Sequence, residues 1–246
     1  MSAARHGTAC VPRALRGTHA VVFDTDGVIT DSAAVHAAAW KTAFDAYLAP
    51  RGQRPFDVRD DYLAHVDGRS RLDGARAFLE SRRLRPTAEE VAAVAADKES
   101  LFTARLREHG VDAYPGTVRL LRVLRAAGLP LAAASASRHA GELLEGSGVR
   151  EYFRVLVDGA EAARLRLPGK PSPALFLEAA HRLGVAAARA AVVEDALAGV
   201  EAARHGGFGT VIGVDRAHTP GTRTALLDHG AHLVVDDLAE LLASED

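Results

Sequence analysis

Two aspartates, Asp24 and Asp26, follow the short apolar run at residues 21–23 and precede Gly27. Alternate residues of an extended strand point to the same side, so both carboxylates should leave the end of this strand together. Folding alone gives no reason for two like charges there, since a buried charge is costly unless it is paired or holds a metal. A divalent cation and an electrophile together explain both carboxylates.

Three further polar clusters each stand after an apolar run or in a turn before a helical pattern. They are Ser135-Ala136-Ser137, Lys170 in the turn at residues 169–173, and Glu194-Asp195. Ligands of open α/β sheets bind at the carboxyl ends of the strands, so we expect these clusters to converge on the two aspartates.

This set of groups is typical of phosphoryl transfer. The carboxylate of Asp24 could attack phosphorus and form an aspartyl phosphate. Asp26 could give a proton to the leaving oxygen and later remove one from the acceptor. Mg²⁺, a hard cation that prefers oxygen ligands, would bridge Asp24 and the phosphoryl group, with Glu194 and Asp195 opposite and the backbone of Asp26 also on the metal.

The remaining groups would hold the phosphoryl oxygens. Ser135 and the amide of Ala136 can donate hydrogen bonds, and Lys170 supplies a positive charge. Each motif has a plainer explanation when taken alone: Asp-x-Asp-Gly suits a solvated turn, and Ser135 suits a helix N-cap. Their joint occurrence, each at its own strand end or turn, favours a catalytic site.

The elements that position these groups predict an α/β fold with a doubly wound (Rossmann-like) parallel sheet. Short apolar runs alternate with helical patterns, which is typical of parallel strands covered on both faces. About 100 residues between the first and second strands contain only helical patterns, too long for one crossover. We therefore predict a disordered arm at residues 1–19, a catalytic core at 20–31 and 110–246, and an inserted helical cap domain at 32–109.

Composition sets outer limits on the function. The chain has 246 residues, 48% of them hydrophobic, and a net charge of −2. That charge gives no general attraction to nucleic acid or to an anionic membrane, and the single cysteine, Cys10, fits a reducing compartment. We expect a cytoplasmic monomer with no nucleic-acid or membrane partner.

The motifs resemble those of the haloacid dehalogenase superfamily of phosphatases and phosphomutases, subclass I. The resemblance covers residues 20–214, with residues 23–28 as the first motif, Ser135 as the second, Lys170 as the third and Glu194-Asp195 as the fourth. Within the superfamily the chain is most similar to the β-phosphoglucomutases and to related sugar-phosphate phosphatases. The resemblance implies a phosphorylated sugar as substrate.

The same resemblance implies roles in the cap. His36 would couple cap closure to the acid/base residue, Arg71 would clamp the distal phosphate, and Lys98 would lie over the active site. The full set of implied substrate-binding residues is His36, Gly68, Arg69, Arg71, Lys98, Ser137, Arg138 and His139. His139 departs from the family pattern, which has an asparagine in contact with substrate phosphate, and Ala196 replaces a common serine.

Three functions remain open at this point. The first is a β-phosphoglucomutase, an isomerase that converts β-glucose 1-phosphate to glucose 6-phosphate. The second is a hydrolase that releases phosphate from a sugar phosphate or similar small metabolite after the same first step. The third is a receiver-type signalling domain, which also combines an acidic strand end with Ser/Thr and Lys but needs no large insertion after its first strand.

Overall fold

One parallel sheet organises the part of the chain that the computed structural model describes, residues 11–216, 218 and 221–243. Its strand order is β3-β2-β1-β4-β5-β6. The strands are β1 Ala20–Phe23, β2 Leu131–Ala134, β3 Val155–Val157, β4 Ala190–Glu194, β5 Thr210–Val214 and β6 Leu233–Val235. The predicted doubly wound parallel fold is confirmed, and the six apolar runs are its strands.

β1 lies at the centre of the sheet and pairs with β2 on one side and β4 on the other. All four of its residues are buried. Val21 and Phe23 belong to one hydrophobic cluster, whereas Ala20 and Val22 belong to the other. Because both faces are covered, β1 reads as a continuous apolar run rather than an alternating one. Its end, where Asp24 begins, is therefore fixed from both sides.

Helices follow the strands of the core. They are α5 Pro115–Ala126, α6 Ala140–Gly146, α7 Gly159–Leu165, α8 Ala174–Leu183, α9 Leu197–His205 and α10 Thr222–His229. The sequence pattern did not predict α7. Its N-cap is Asp158, whose side chain accepts hydrogen bonds from the amides of Ala160 and Glu161.

Of the helices between β1 and β2, the first four share a hydrophobic cluster of their own. They are α1 Ala33–Leu48, α2 Asp60–His65, α3 Arg71–Ser81 and α4 Ala88–His109. Phe44 stacks against Trp40 at 4.8 Å between ring centroids and contacts Phe78 at 4.3 Å. Thr87 and Glu90 form a capping box that starts α4. We call these four helices the cap and the rest the core.

Two neighbouring segments connect the cap to the core. The amide of Asp31 donates to the carbonyl of Asp112 at 2.9 Å, and the amide of Tyr114 donates to the carbonyl of Ile29 at 2.9 Å. Thr30 and Ala113 form an antiparallel bridge between them. The chain therefore leaves and re-enters the core at one place, which is suitable for a hinge.

The expectation of a disordered arm is wrong for residues 11–19. Leu15 is fully buried in the core cluster, with Val11 and Ala14 packed beside it. The amide of His19 donates to the carbonyl of Arg189 at 2.8 Å. Leu15 ends the short helical turn Arg13–Leu15, and residues 1–10 lie outside the described residues. In the described part of the chain no helix combines the length and apolarity needed to cross a bilayer.

Candidate active site

Asp24 stands directly after β1 and is held entirely by core residues. Its amide donates to the carbonyl of Val193 on β4 at 2.9 Å. The ammonium of Lys170 donates to Asp24 Oδ1 and to Glu194 Oε1, both at 2.5 Å, and the lysine side chain is only 1% exposed. Burial raises the pKa of Asp24 to about 8, although Lys170 opposes the rise. One buried ammonium is thus shared between two buried carboxylates.

A third carboxylate, Asp195, completes an acidic cluster with Asp24 and Glu194. One carboxylate oxygen from each residue lies within 4.8 Å of the others. Burial, and then the neighbouring carboxylates of Asp67 and Glu194, hold the pKa of Asp195 well above its ordinary value. Lys170 does not balance this much buried negative charge, so the cluster fits a cation with oxygen ligands.

Local backbone geometry makes this close approach possible. Gly27 has φ +81°, and a Cβ at this position would collide with the carboxylate of Asp195. Glu194 Oε2 accepts the amides of Asp195 at 2.5 Å and Ala196 at 2.7 Å, so the turn after β4 fixes its orientation. The motif that contains Gly27 can therefore approach the motif that contains Asp195, because Gly27 has no side chain at the contact.

Asp26 lies two residues after Asp24 but has different partners. Its Oδ1 accepts from Ser32 Oγ at 2.5 Å and lies 3.1 Å from His36 Nε2, and its Oδ2 accepts from Ser135 Oγ at 3.2 Å. Burial opposes ionisation, but His36 and Ser32 outweigh it and hold the pKa of Asp26 well below its ordinary value. The carboxylate lies outside the acidic cluster, so any part for Asp26 in metal binding falls to its backbone.

His36 connects Asp26 to the cap residue Lys98. Lys98 Nζ lies 2.8 Å from His36 Nδ1, and the lysine is 4% exposed. Burial lowers the pKa of His36 and lowers that of Lys98 to about 8. If the ammonium donates to Nδ1, the neutral ring carries its proton on Nε2 and donates it to Asp26. A line of hydrogen bonds thus runs from α4 of the cap to a carboxylate of the core.

A cavity of about 250 Å³ lies between the cap and the core. The sequence-predicted residues that line it are Asp24, Asp26, His36, Gly68, Arg69, Arg71, Lys98, Ala136, Ser137, Arg138, Lys170 and Asp195. Ser135, Glu194 and His139 are described residues that do not line it. Ser135 Oγ accepts from the amide of Ser137 at 3.0 Å and Glu194 holds Lys170, so both support lining residues from behind.

Comparison with known proteins identifies the family. The chain matches the model of haloacid dehalogenase-like hydrolases over residues 18–207. The chain belongs to this family. It is 41% identical over 238 residues to a beta-phosphoglucomutase of Mycobacterium bovis, with 91% of each chain covered.

Two further relatives differ in their names. The phosphorylated carbohydrates phosphatase of Thermotoga maritima is 28% identical over 219 residues, which cover 88% of this chain and 93% of that protein. The solved structure of a beta-phosphoglucomutase from Clostridium difficile has a TM-score of 0.73 at 26% identity, with 91% of this chain and 93% of that one covered. The expected class, a phosphomutase or phosphatase of the haloacid dehalogenase superfamily, is confirmed, and the receiver-type alternative is excluded.

Several residues that line the cavity were not predicted from the sequence. Asp67 and Tyr62 line the cavity from the cap, and burial raises the pKa of Asp67 to about 7. Ala162 and Ala163 of α7 line the cavity from the core. The dipeptide Asp67-Gly68 could have been noticed, since Asp and Gly together are typical of a turn between helices.

Gly68 brings the cap onto the haloacid dehalogenase-like core. Its φ is +70°, and a Cβ there would lie 2.7 Å from the Cβ of Ala196, in the turn after β4. The small side chain of Ala196 and the absent one of Gly68 thus allow the two domains to touch beside Glu194. The departure from serine at position 196 therefore lies at a domain contact.

His139, predicted as a substrate ligand, has other partners. Its Nε2 lies 2.9 Å from Glu99 Oε1, and its Nδ1 lies 3.2 Å from Glu142 Oε2. Arg71, predicted to clamp a phosphate, contacts the same Glu99 oxygen at 3.1 Å and lines the cavity. Sequence reasoning missed Glu99 as a partner of either residue.

Proposed function

We propose that the protein is a Mg²⁺-dependent phosphomutase that works through an aspartyl phosphate and converts β-glucose 1-phosphate to glucose 6-phosphate. The observation that carries the proposal is the contrast between Asp24 and Asp26 on the floor of one cavity, beneath the cap cations Arg71 and Lys98. The name of the 41% identical mycobacterial relative supports the choice of reaction and substrate.

The nucleophile is Asp24, which lines the cavity directly after β1. In the phosphorylated enzyme, a hydroxyl of the hexose phosphate attacks the phosphorus on Asp24. The new oxygen–phosphorus bond forms while the bond to the Asp24 carboxylate breaks. The bisphosphate then reorients, and Asp24 attacks its other phosphoryl group to regenerate the aspartyl phosphate and release the isomer.

Asp26 moves the proton in both directions. Its lowered pKa keeps it ionised, so it can accept the proton of the attacking sugar hydroxyl. It returns that proton to the leaving oxygen when Asp24 attacks the bisphosphate. The contacts of Ser32 and His36 with Asp26 Oδ1 hold this carboxylate in a fixed orientation for the transfer.

Asp24, Glu194 and Asp195, with the backbone of Asp26, would hold Mg²⁺. When bound there, the ion neutralises charge on the carboxylates and on the transferring phosphoryl group. Lys170 holds Asp24 and Glu194 at fixed positions. Ser135 Oγ accepts from the amide of Ser137, and Ala136 and Ser137 line the cavity, where the Ala136 amide would donate to phosphoryl oxygens.

The cap must exclude water for isomerisation to win over hydrolysis of the aspartyl phosphate. Lys98, Arg69 and Arg71 would then bind the distal phosphate or the sugar from above, while Ser137 and Arg138 bind from the core. The hydrolase of sugar phosphates or similar metabolites is the second candidate. Its first step is identical, and the similarity to the Thermotoga phosphatase favours it.

Parallel assays on one preparation separate the two candidates. β-Glucose 1-phosphate is supplied with Mg²⁺ and a trace of glucose 1,6-bisphosphate as primer. Glucose 6-phosphate is followed by a coupled dehydrogenase and free phosphate by a colorimetric assay. We expect isomer to form far faster than phosphate. Stoichiometric phosphate release with no isomer would refute the mutase and leave the hydrolase.

A further inference from the structure

An ion-pair cluster at the rim of the cavity joins the cap to the core. Glu99 lies on α4 and Arg71 begins α3, both in the cap, whereas His139 precedes α6 in the core. One oxygen, Glu99 Oε1, lies 3.1 Å from Arg71 Nη1 and 2.9 Å from His139 Nε2. The Glu99–His139 contact is thus a charge-assisted hydrogen bond that crosses the boundary between the domains.

The surroundings strengthen this contact. His139 is about one-fifth exposed and Glu99 one-quarter, so water screens the pair only in part. The other ring nitrogen of His139 lies 3.2 Å from Glu142 Oε2, so the imidazole is held between a cap carboxylate and a core carboxylate. His139 and Arg71, with Lys98 nearby, outweigh burial and hold the pKa of Glu99 below its ordinary value.

The same stretch of α4 reaches the catalytic acid/base. Lys98 hydrogen-bonds His36, which contacts Asp26. Phe102, one turn further on, stacks on His36 at 4.1 Å and lies 5.5 Å from His139 between ring centroids. One face of α4 therefore contacts both the partner of Asp26 and the core histidine at the cavity rim.

We propose that Glu99 and His139 form a clasp that fastens the cap over the core and, through Arg71, fixes the guanidinium that meets the distal phosphate. The proposal deepens the proposed function and rests on it. Glu99 and His139 are positioning residues: they act through closure and through Arg71. With the clasp formed, the aspartyl phosphate meets a sugar hydroxyl; with the clasp broken, water reaches it more often.

An alternative role for Glu99 predicts the opposite change in substrate binding, so the direction of that change separates the two. A carboxylate on Arg71 could compete with phosphate for the guanidinium. In that case, removal of the Glu99 charge would tighten substrate binding and leave hydrolysis unchanged. The clasp predicts weaker substrate binding and more hydrolysis.

The test compares Glu99→Gln, His139→Gln and their double variant with a matched control, Glu142→Gln. The control removes a carboxylate from the same imidazole without touching the cap. The first readout is the ratio of phosphate release to glucose 6-phosphate formation. We expect about a tenfold rise in this ratio in Glu99→Gln and His139→Gln, and a change of no more than about twofold in Glu142→Gln. The double variant should match Glu99→Gln, since that single change already breaks the contact with His139.

A second readout does not depend on activity. Trp40 is the only tryptophan of the chain, is 3% exposed and lines the cavity. Acrylamide should quench its fluorescence more strongly in Glu99→Gln and His139→Gln than in the wild type or in Glu142→Gln. Additive effects in the double variant, or equal quenching in Glu99→Gln and Glu142→Gln, would overturn the clasp. If the wild type forms no isomer, the proposed function fails, and the Trp40 readout still decides the clasp by the same outcomes.

Discussion

Asp24 and Asp26 are two residues apart, yet they depend on different parts of the molecule. Asp24 is held by Lys170 and shares that ammonium with Glu194, all within the core. Asp26 is held by Ser32 and His36, at the start of the cap, and its histidine is held by Lys98. Burial raises the pKa of Asp24 to about 8, whereas its partners keep the pKa of Asp26 low.

The two aspartates therefore need different parts of the molecule for their proposed roles as nucleophile and as acid/base residue. The proposed nucleophile, Asp24, and its partners Lys170 and Glu194 are held by contacts within the core. The acid/base residue depends on contacts that include a cap helix, so its geometry is complete only when the cap lies on the core. We therefore expect proton transfer to depend more strongly on closure of the cap than binding of a cation does.

The largest expected effect comes from Asp24→Asn, which removes the proposed nucleophile. Turnover of a sugar phosphate should fall by about 10⁴-fold or more, because no aspartyl phosphate can form. Asp31→Asn is the control, since Asp31 is an exposed aspartate that accepts only from Tyr114 Oη among its described side-chain contacts. Sugar-phosphate turnover in Asp24→Asn that stays near wild type would rule out Asp24 as the nucleophile.

Asp26→Asn should be next in size and should depend on the leaving group. Turnover of a sugar phosphate should fall by about 10³-fold, since the alkoxide then leaves without a proton. First-step cleavage of p-nitrophenyl phosphate should fall much less, because nitrophenolate leaves unprotonated. Burst kinetics on both substrates measure the step. Equal losses on the two substrates would argue that Asp26 does not act as an acid.

Asp195→Asn tests the core side of the comparison through the cation. Removal of one carboxylate from the cluster should raise the half-saturating Mg²⁺ concentration by about 100-fold. Glu201→Gln, a partly exposed acid on α9, should leave that concentration unchanged. Calorimetric titration of Mg²⁺ into the protein without substrate gives the same comparison independently of activity. Unaltered Mg²⁺ affinity in Asp195→Asn would place the ion elsewhere.

Lys98→Met tests the cap side and should have the smallest effect of the four. Loss of a buried hydrogen bond from a charged donor should lower kcat/KM by about tenfold, with His36 and Asp26 less well positioned. Lys41→Met is the matched control, since Lys41 is a cap lysine that pairs with Asp45 away from the cavity. The Mg²⁺ affinity of Lys98→Met should equal that of the wild type. A changed Mg²⁺ affinity would show that the two sides are not independent.

Sequence patterns predicted the core better than its edges. The strands were found because a buried parallel strand has no polar residue to interrupt its apolar run, as in β1 and β2. α7 was missed because its residues, Gly159–Leu165, carry no apolar stripe; the signal was the N-cap Asp158. Leu15 was missed because the arginines around it resemble those of a solvated arm.

The site divides in the same way. Asp24, Lys170 and Asp195 were predicted because each stands at a strand end or a turn, where topology alone brings them together. The Glu99–His139 contact joins residues 40 positions apart in different domains. Neither residue type nor spacing predicts such a pair, since it depends on how the cap rests on the core. For the same reason, the sequence did not predict that His139 and Arg71 both contact Glu99.

The place of the cap in the chain has a consequence for synthesis of the protein. β1 pairs with β4, so Val22 meets Val192, and neither neighbour of β1 exists until the whole cap has been made. Such long-range pairing is slow because a large loop must close first. During synthesis the apolar first strand therefore emerges from the ribosome before its partner strands. It stays unpaired while the four cap helices, which depend on local contacts, can already fold. During that interval residues 20–23 remain open to pairing with other chains.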